Sequence, residues 1–419
     1  MPPSLSSRLT YGTLFLGLLI LTLTNLQQRE LHFDDERWYL ENVEILQEHG
    51  LSSQFLLEYR GSAGPLFAVI HWILSPVTQM SPPGLHLVNL VFLLLSIWVL
   101  ASLFRALKAP ENGWESLFLL AVPMTYVCTG MVLTEMPAFF FLCLSLWALH
   151  RYSTSQAWLW LIISALSFSA AILGRQVYLI LLPLYWIPML PSWPLPERNW
   201  LKAVPTAGIF SLLAFLVPAV VFYHWQGLTS IFDAKIYAQY AERGISYAPI
   251  HVVFALGYLA MSTLLIAPRF FMILGNQRWV RWSWVVGLGL IGGNVAGGWF
   301  SYLALEGILR KLVPASALPL MGRFIAGGLL VLAAGFVIAA LLHAWKDRSD
   351  RWLVLATLAC LGIALTSIKI THQFSSRYVA QVLPFLFLIL IRFPEKSYWG
   401  LIGKLIGAAL GLAALYTYF

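Results

Sequence analysis

Long apolar runs alternate with short polar or proline-bearing breaks along most of the chain. Runs of about 17 to 25 apolar residues can cross the hydrocarbon core of a bilayer as single helices. The pattern predicts about 13 membrane-spanning helices, at residues 9–27, 85–105, 114–130, 132–150, 157–174, 176–193, 203–225, 250–274, 281–304, 320–344, 351–368, 376–392 and 398–418. We therefore predict an all-α integral membrane protein in which residues 1–419 form a single polytopic domain.

One polar stretch, at about residues 28–84, is much longer than the other breaks. It begins with the consecutive carboxylates Asp34, Asp35 and Glu36. The apolar run 64–77 inside it is too short to span a bilayer comfortably and is predicted to form an interfacial helix. Because carboxylates beside a bilayer are unfavourable unless they serve a function, this first loop is the leading candidate site.

The positions of Lys and Arg give the orientation of the chain. They collect in alternate breaks, as expected when the N-terminus is cytoplasmic. The first loop, the turn at Glu135, Arg175, a second candidate outer loop at 226–249 and the segment 369–377 are then extracytoplasmic. Most of the polar groups that could form a site therefore share one face of the membrane.

Composition excludes several classes of protein. Hydrophobic residues make up 59% of the chain and charged residues 11%, which excludes an ordinary soluble domain. The formal charge of +8 comes from Lys and Arg scattered between apolar runs, so no nucleic-acid partner is expected. The three cysteines form no CxxC motif and predict neither a disulfide framework nor a zinc site.

Several blocks on the predicted outer face resemble a known superfamily. They read DERWY at 35–39 with GSAGP at 61–65, LTEMPAFF at 133–140, GRQ at 174–176 and HQFSSRY at 372–378. In order and sidedness these blocks resemble the outer loops of GT-C membrane glycosyltransferases, including the protein O-mannosyltransferases and the aminoarabinose transferases of lipid A. The segments near Arg175 and His251 are also locally similar to dolichyl-phosphate-glucose glucosyltransferases, although the stretch 60–66 differs from that family.

The resemblance implies a GT-C fold and a reaction. A sugar would move from a polyprenyl- or dolichyl-phosphate donor to an acceptor that the sequence does not identify, whether glycan, lipid or protein. A loop carboxylate would take the acceptor proton as general base, and a single displacement would invert the anomeric carbon. Asp35 is the expected base and Asp34 the competing candidate, and Glu135 is a further catalytic candidate that would support the base or position the acceptor.

Binding roles also follow from the resemblance. The cationic and hydrogen-bonding candidates for the donor phosphate are Arg377, Lys369, His372, Tyr378 and Arg175. The candidates for binding the acceptor or the sugar are Glu36, Tyr39, Arg60, Tyr237 and Tyr240, the last two in a loop that also contains Asp233. No cofactor is expected to be required and no metal ligand is assigned, although the carboxylates leave Mg²⁺ or Mn²⁺ open.

Simpler interpretations stay open at this point. The carboxylates at 34–36 could cap a helix, Glu135 could do the same, Arg175 could extend to the membrane surface, and Arg377 could be an ordinary loop charge. A lipid or sugar flippase or transporter without glycosyl transfer is the alternative function, and it should show repeated halves. The expected location is the bacterial inner (plasma) membrane with an outward-facing site, with the ER membrane as alternative.

Overall fold

The computed structural model describes residues 5–32, 34–190, 200–242, 247–275, 278–302, 306–369, 374–395 and 397–418, which form helices and no strand. The α-helices are, in chain order, α1 (Leu5–Gln27), α2 (Asp34–His49), α3 (Ser53–Glu58), α4 (Leu66–Thr78), α5 (Gly84–Ala106), α6 (Pro123–Gly130), α7 (Glu135–Ser155), α8 (Trp158–Gly174), α9 (Trp200–Trp225), α10 (Ile231–Glu242), α11 (Pro249–Ile266), α12 (Met272–Gly275), α13 (Arg278–Gly297), α14 (Glu306–Leu312), α15 (Leu318–Lys346), α16 (Arg351–Thr366), α17 (Leu383–Leu390) and α18 (Tyr398–Tyr416). Short 3-10 helices lie at Trp114–Ala121, Gln176–Leu181, Leu184–Met189, Pro268–Phe271, Ala315–Ala317, Ser367–Lys369 and Ser376–Val382.

The all-α multi-pass membrane architecture predicted from the sequence is confirmed. Within the described ranges, 7 helices are long and apolar enough to cross a membrane, and the number is 8 if the bent pair of α6 and α7 forms one span. Four more apolar helices are shorter than a full span. The predicted number of about 13 spans is therefore not confirmed.

Proline accounts for two of the places where the predicted spans and the observed helices differ. The predicted span 176–193 begins as two 3-10 helices separated by a turn at Pro183, and the second contains Pro188. The predicted span 114–130 consists of a 3-10 helix followed by α6, which begins at Pro123. Proline lacks the N–H that would continue a regular α-helix, so apolar composition alone overestimates helix length at these positions.

The chain divides into two compact units. We call residues Leu19–Ser116 with Cys128–Ser246 the loop unit, because it contains the first predicted outer loop and α10 of the second. We call residues Met1–Leu18, Leu117–Val127 and Tyr247–Phe419 the C-terminal unit. The single domain predicted over residues 1–419 stays a prediction.

In the loop unit, the predicted interfacial helix is present as α4, and its position relative to the membrane stays a prediction. Tyr39 of α2 packs against Phe67 of α4, with ring centroids 5.6 Å apart. On α7 and α8, the Ser145 and Ser164 hydroxyls each donate to the other residue's backbone carbonyl, at 2.8 and 2.9 Å. Small hydroxyl side chains of this kind link membrane helices without breaking their backbone hydrogen bonds.

In the C-terminal unit, α18 packs closely through its glycines. A Cβ atom at Gly407 would overlap the backbone carbonyl of Ala121, and one at Gly403 would overlap that of Leu265. Because backbone atoms cannot move aside as a flexible side chain can, only glycine fits at these two positions.

We expect the substitution Gly407→Leu to destabilise the protein by about 1–3 kcal/mol, because it forces α18 away from Ala121. The matched control is Ala409→Leu, at an exposed position on the same helix. Thermal unfolding of the two purified variants in detergent checks the prediction. Equal unfolding temperatures would show that the close approach at Gly407 is not needed for stability.

Candidate functional site

The first turn of α2 consists of three carboxylates, Asp34, Asp35 and Glu36. Acidic side chains are stabilised there by the partial positive charge of the helix N-terminus. Asp35 is half-buried, whereas Glu36 is fully buried. The side chain of Asp34 lies outside the described part of the structure. The three acids therefore do not share one environment, as their adjacency in sequence would suggest.

Glu36 connects two distant segments of the loop unit. Its Oε2 accepts the backbone N–H of His32 at 2.8 Å, and its Oε1 accepts the backbone N–H of Val132 at 2.7 Å. Hydrogen bonds to an ionised carboxylate are among the stronger ones in proteins. These surroundings favour a positioning role for Glu36, and its predicted contact with acceptor stays a prediction.

Val132 lies in the break between α6 and α7, where the helix axis bends by 115°. Side chains of α5 satisfy the carbonyls that the break exposes. His86 Nδ1 lies 2.9 Å from the Gly130 carbonyl oxygen. The Asn89 amide nitrogen lies 3.3, 2.7 and 3.0 Å from the carbonyl oxygens of Cys128, Met131 and Leu133. Buried backbone carbonyls that lack helical partners require hydrogen bonds of this kind, so side chains of α5 hold the bend in place.

The bend places Glu135 at the first position of α7, where only 1% of its surface is exposed. Glu135 forms an ion pair with Arg175, the residue that follows α8 and is itself buried. The sequence predicted both as site residues but not that they pair. Burial of the pair argues against the simpler interpretation in which Arg175 extends to the membrane surface.

The chain between α3 and α4 lies against the end of α8. A Cβ atom at Gly64 would overlap the carbonyl of Leu173, so the loop approaches α8 as closely as a backbone can. Tyr59 is fully buried, stacks on Trp225 at 5.4 Å, and donates from its hydroxyl to the Gly64 carbonyl at 3.0 Å. These contacts fix residues 59–64 in one conformation.

The pKa of the Tyr59 hydroxyl depends on several charged or ionisable groups around it. Burial raises the pKa of the Tyr59 hydroxyl well above its usual value; Tyr39 and Asp233 act in the same direction, and Arg175 opposes them. Electrostatic interactions of this kind fall off with distance, so these groups lie close to Tyr59. The structure thus brings together two residues predicted separately, Tyr39 and Arg175, with Asp233, to which the sequence assigned no role of its own.

Arg60, predicted for acceptor binding, is held by its backbone. The side chain of Asn42 donates to the Arg60 carbonyl at 2.7 Å and accepts the Arg60 N–H at 2.7 Å. The guanidinium is exposed, lies 5.8 Å from the ring centroid of Phe232 on α10, and is 3.8 Å from the Glu41 carboxylate. The Arg60 side chain is therefore accessible to a ligand from solvent.

The predicted second outer loop contains α10, which contacts the first loop. The Ser230 hydroxyl accepts the backbone N–H of Gly61 at 3.4 Å and that of Asp233 at 3.2 Å. Phe232 packs edge-on against Trp38 of α2. The side chains of Tyr237 and Tyr240 on α10 lie outside the described part of the structure, so their predicted roles stay predictions.

The remaining donor-phosphate candidates belong to the C-terminal unit. Lys369 is exposed at the end of a 3-10 helix, and Arg377 lies over the ring of Tyr378, 5.7 Å from its centroid. The Tyr302 hydroxyl donates to the carbonyl of Phe374 at 3.4 Å, and the Phe374 ring packs against Tyr378. His372 lies outside the described residues. Their roles in phosphate binding stay predictions.

The described residues contain no group of three or more His, Cys, Asp or Glu side chains that could hold a metal ion. The metal requirement that the sequence left open therefore needs an experiment.

Residues 62–224 match the family described as dolichyl-phosphate-mannose-protein mannosyltransferase. The match confirms the predicted resemblance to GT-C glycosyltransferases. The GT-C match includes Glu135 and Arg175, with the bend that places Glu135. It does not include the acidic turn at 34–36, Arg60 or the segment 369–378, so the roles proposed for those residues depend on the geometry and chemistry of this chain.

The solved structures matched by the chain include ArnT from Cupriavidus metallidurans bound to undecaprenyl phosphate. Its TM-score is 0.45 and its sequence identity 13%, covering 97% of this chain and 77% of that one. The apo structure of the same ArnT matches with a TM-score of 0.45 and a sequence identity of 14%, covering 97% of this chain and 77% of that one. The Archaeoglobus fulgidus oligosaccharyltransferase, tethered to an acceptor peptide, matches with a TM-score of 0.37 and a sequence identity of 12%, covering 94% of this chain and 55% of that one. None of the curated proteins matches the chain.

Proposed function

We propose that the protein is a membrane glycosyltransferase that moves a sugar from a polyprenyl-phosphate-linked donor to an acceptor at the extracytoplasmic face. The observation that carries this proposal is the position of Glu36. By binding the backbone of Val132, Glu36 fixes the acidic start of α2 against the break that leads into Glu135. An arrangement that only capped a helix would not require a fully buried carboxylate that binds the backbone of a distant break between helices.

In this proposal Asp35 acts as general base. The acceptor hydroxyl or amine loses its proton to the carboxylate as it attacks the anomeric carbon, and the bond from that carbon to the carrier phosphate breaks. The electron pair of the broken bond leaves with the phosphate, and one displacement inverts the anomeric carbon. Asp35 is preferred because it is half-buried beside the fixed Glu36, and Asp34 is the competing candidate.

The ion pair of Glu135 and Arg175 is proposed to join the start of α7 to the end of α8 at the site, and to position the acceptor. Because Glu135 already balances the charge of Arg175, that arginine is the weaker candidate for the carrier phosphate. The candidates for binding the donor phosphate remain Arg377, Lys369, His372 and Tyr378. Cations and hydrogen-bond donors stabilise the charge that develops on the leaving group. The carrier's apolar chain would enter from the bilayer.

The experiment that tests the function uses purified wild-type protein in liposomes with a panel of polyprenyl phosphates carrying radiolabelled hexoses or pentoses. Extracted membranes supply the acceptors. The proposal expects label from one donor to leave the lipid carrier and appear on an acceptor. Label that crosses the bilayer while still on its carrier would favour the flippase instead, and label that stays on every carrier would contradict transfer.

We expect transfer to continue without a resident divalent cation. Two of the carboxylates near the site already have partners in the protein, because Glu36 accepts two backbone N–H groups and Glu135 pairs with Arg175. Dialysis against EDTA should therefore leave the rate unchanged, and readdition of Mg²⁺ or Mn²⁺ should not raise it. A rate that falls with EDTA and returns with either cation would show that a metal is required.

A further inference from the structure

Asp233 on α10 is a buried carboxylate that the proposed reaction does not use. Only 8% of its surface is exposed, and its Oδ2 atom has no hydrogen-bond partner among the described residues. Burial raises the pKa of this carboxyl to about 6, so it is still mostly ionised at neutral pH. A buried charge with an unsatisfied oxygen is unfavourable for folding, which makes such a group a candidate for function.

Helix capping leaves one oxygen of the Asp233 carboxylate, Oδ2, without a partner among the described residues. Ser230 precedes α10 and accepts the backbone N–H of Asp233 through its hydroxyl, as a capping serine does. In a reciprocal capping box, the acid three residues later binds the backbone N–H of the serine. The Oδ2 of Asp233 makes no such contact within the described residues, so one acceptor atom is left for another partner.

The position of Asp233 relates it to residues of the candidate site. Ser230 links the start of α10 to Gly61 of the first loop, and Asp233 lies within electrostatic range of Tyr59. Tyr39 and Arg175, two residues of the candidate site, act on the same tyrosine. Asp233 therefore lies in the same cluster as Tyr39 and Arg175, two residues of the candidate site.

The charge and hydrogen-bonding capacity of the carboxylate restrict the ligand groups that could bind to Asp233. An ionised carboxylate repels phosphate, so the carrier headgroup is not the partner of Asp233. It accepts hydrogen bonds, and a charge-assisted bond from an O–H group is short and strong. Sugar hydroxyls are the neutral donors that a glycosyltransferase binds, and burial strengthens each such bond.

We propose that the Oδ2 atom of Asp233 accepts a hydrogen bond from a carbohydrate hydroxyl bound at this site. The inference rests on the proposed function and deepens it, because it adds a sugar-binding residue on α10. The hydroxyl belongs either to the sugar of the lipid-linked donor or to a carbohydrate acceptor, and the two sources are separated by experiment.

The test measures binding, which does not require turnover. Full-length protein in nanodiscs is titrated with polyprenyl phosphate with and without a sugar, followed by tryptophan fluorescence. A second arm titrates free mono- and disaccharides in the presence of saturating bare polyprenyl phosphate. The variants are Asp233→Ala and Asp233→Asn, and the matched control is Glu242→Gln, an exposed acid on the same helix.

We expect wild type to bind one sugar-bearing ligand more tightly than its sugar-free counterpart, and Asp233→Ala to lose about 10- to 100-fold of that difference. The Glu242→Gln control should keep the difference. A response only in the first arm would assign the hydroxyl to the donor, and one only in the second arm to the acceptor. An undiminished difference in Asp233→Ala, or no sugar-dependent difference in wild type, would overturn the inference.

Transfer measured on the same preparations separates this inference from the proposed function. Normal transfer with undiminished sugar binding in Asp233→Ala would overturn the role of Asp233 alone. Sugar binding that depends on Asp233, without transfer from any donor, would overturn the reaction and leave Asp233 as a sugar-binding residue.

Stability gives a further readout that a purely structural residue would not produce. Because the folded-state pKa of Asp233 lies above the usual value for Asp, the protein loses stability as pH rises through the interval from about 4 to 6. Asp233→Asn removes that penalty and should raise the unfolding temperature at pH 8, with the gain shrinking toward pH 4. A lower unfolding temperature for the Asn variant at pH 8 would mean that the carboxylate stabilises the fold, and would overturn the inference.

Discussion

Replacing Asp35 by Asn is expected to lower the rate of sugar transfer by about 10²- to 10⁴-fold, the contribution typical of a positioned general base. Asn is similar in size but cannot take up the acceptor proton. The partners of Glu36 at His32 and Val132 are untouched by this change, so α2 should keep its position. Transfer rates of purified variants in liposomes, with unfolding temperatures measured in parallel, check the prediction.

The controls lie on the same helix. Glu44→Gln removes an exposed carboxylate from α2 and should leave the rate unchanged. Asp34→Asn should have a much smaller effect than Asp35→Asn, and the reverse order would assign the base to Asp34. Full activity in the double variant Asp34→Asn, Asp35→Asn would contradict a carboxylate base in this turn.

Replacing Glu135 by Leu is expected to destabilise the protein by about 3–5 kcal/mol, the cost of leaving one partner of a buried ion pair without the other. Arg175 is buried in the loop unit and would keep its charge there. Arg175→Met should be destabilising for the same reason, since it leaves the Glu135 carboxylate. Thermal unfolding and the yield of folded protein after extraction check both single variants.

The double variant Glu135→Leu, Arg175→Met separates structural from functional roles. Removing both charges of a buried pair is often neutral for stability, so folding should largely recover. Transfer should not recover, because the acceptor would lose the groups proposed to position it. Single variants as stable as wild type would contradict a structural role for the pair, and a double variant with full transfer would contradict its functional role.

The sequence predicted the features that depend on local pattern. Apolar runs predicted the membrane helices α5, α9 and α18, and the proline-bounded run 64–77 is the separate helix α4. Glu135 and Arg175 were both predicted as site residues from the resemblance to GT-C glycosyltransferases together with their position between apolar runs. The number of spans was not predictable by length alone, because proline divides apolar segments such as 176–193 into short 3-10 turns.

The features that depend on distant contacts could not be predicted from the sequence. The bond from Glu36 to Val132 joins residues 96 positions apart, and it requires a bend whose carbonyls are satisfied from α5. The pairing of Glu135 with Arg175 likewise depends on how α7 packs against α8. In the sequence, Asp233 is one acidic residue of a loop. Its relation to the candidate site depends on the hydrogen bond by which Ser230 links α10 to Gly61.

The central claim is that Asp35 takes the acceptor proton while a sugar leaves a lipid phosphate. Its most direct test is a single-turnover experiment with protein in excess over radiolabelled donor, comparing wild type with Asp35→Asn and measuring donor bound and donor consumed in the same sample. We predict that the Asn variant binds the donor as tightly as wild type but leaves it intact over the time in which wild type consumes it. Consumption by the Asn variant at the wild-type rate would contradict the claim.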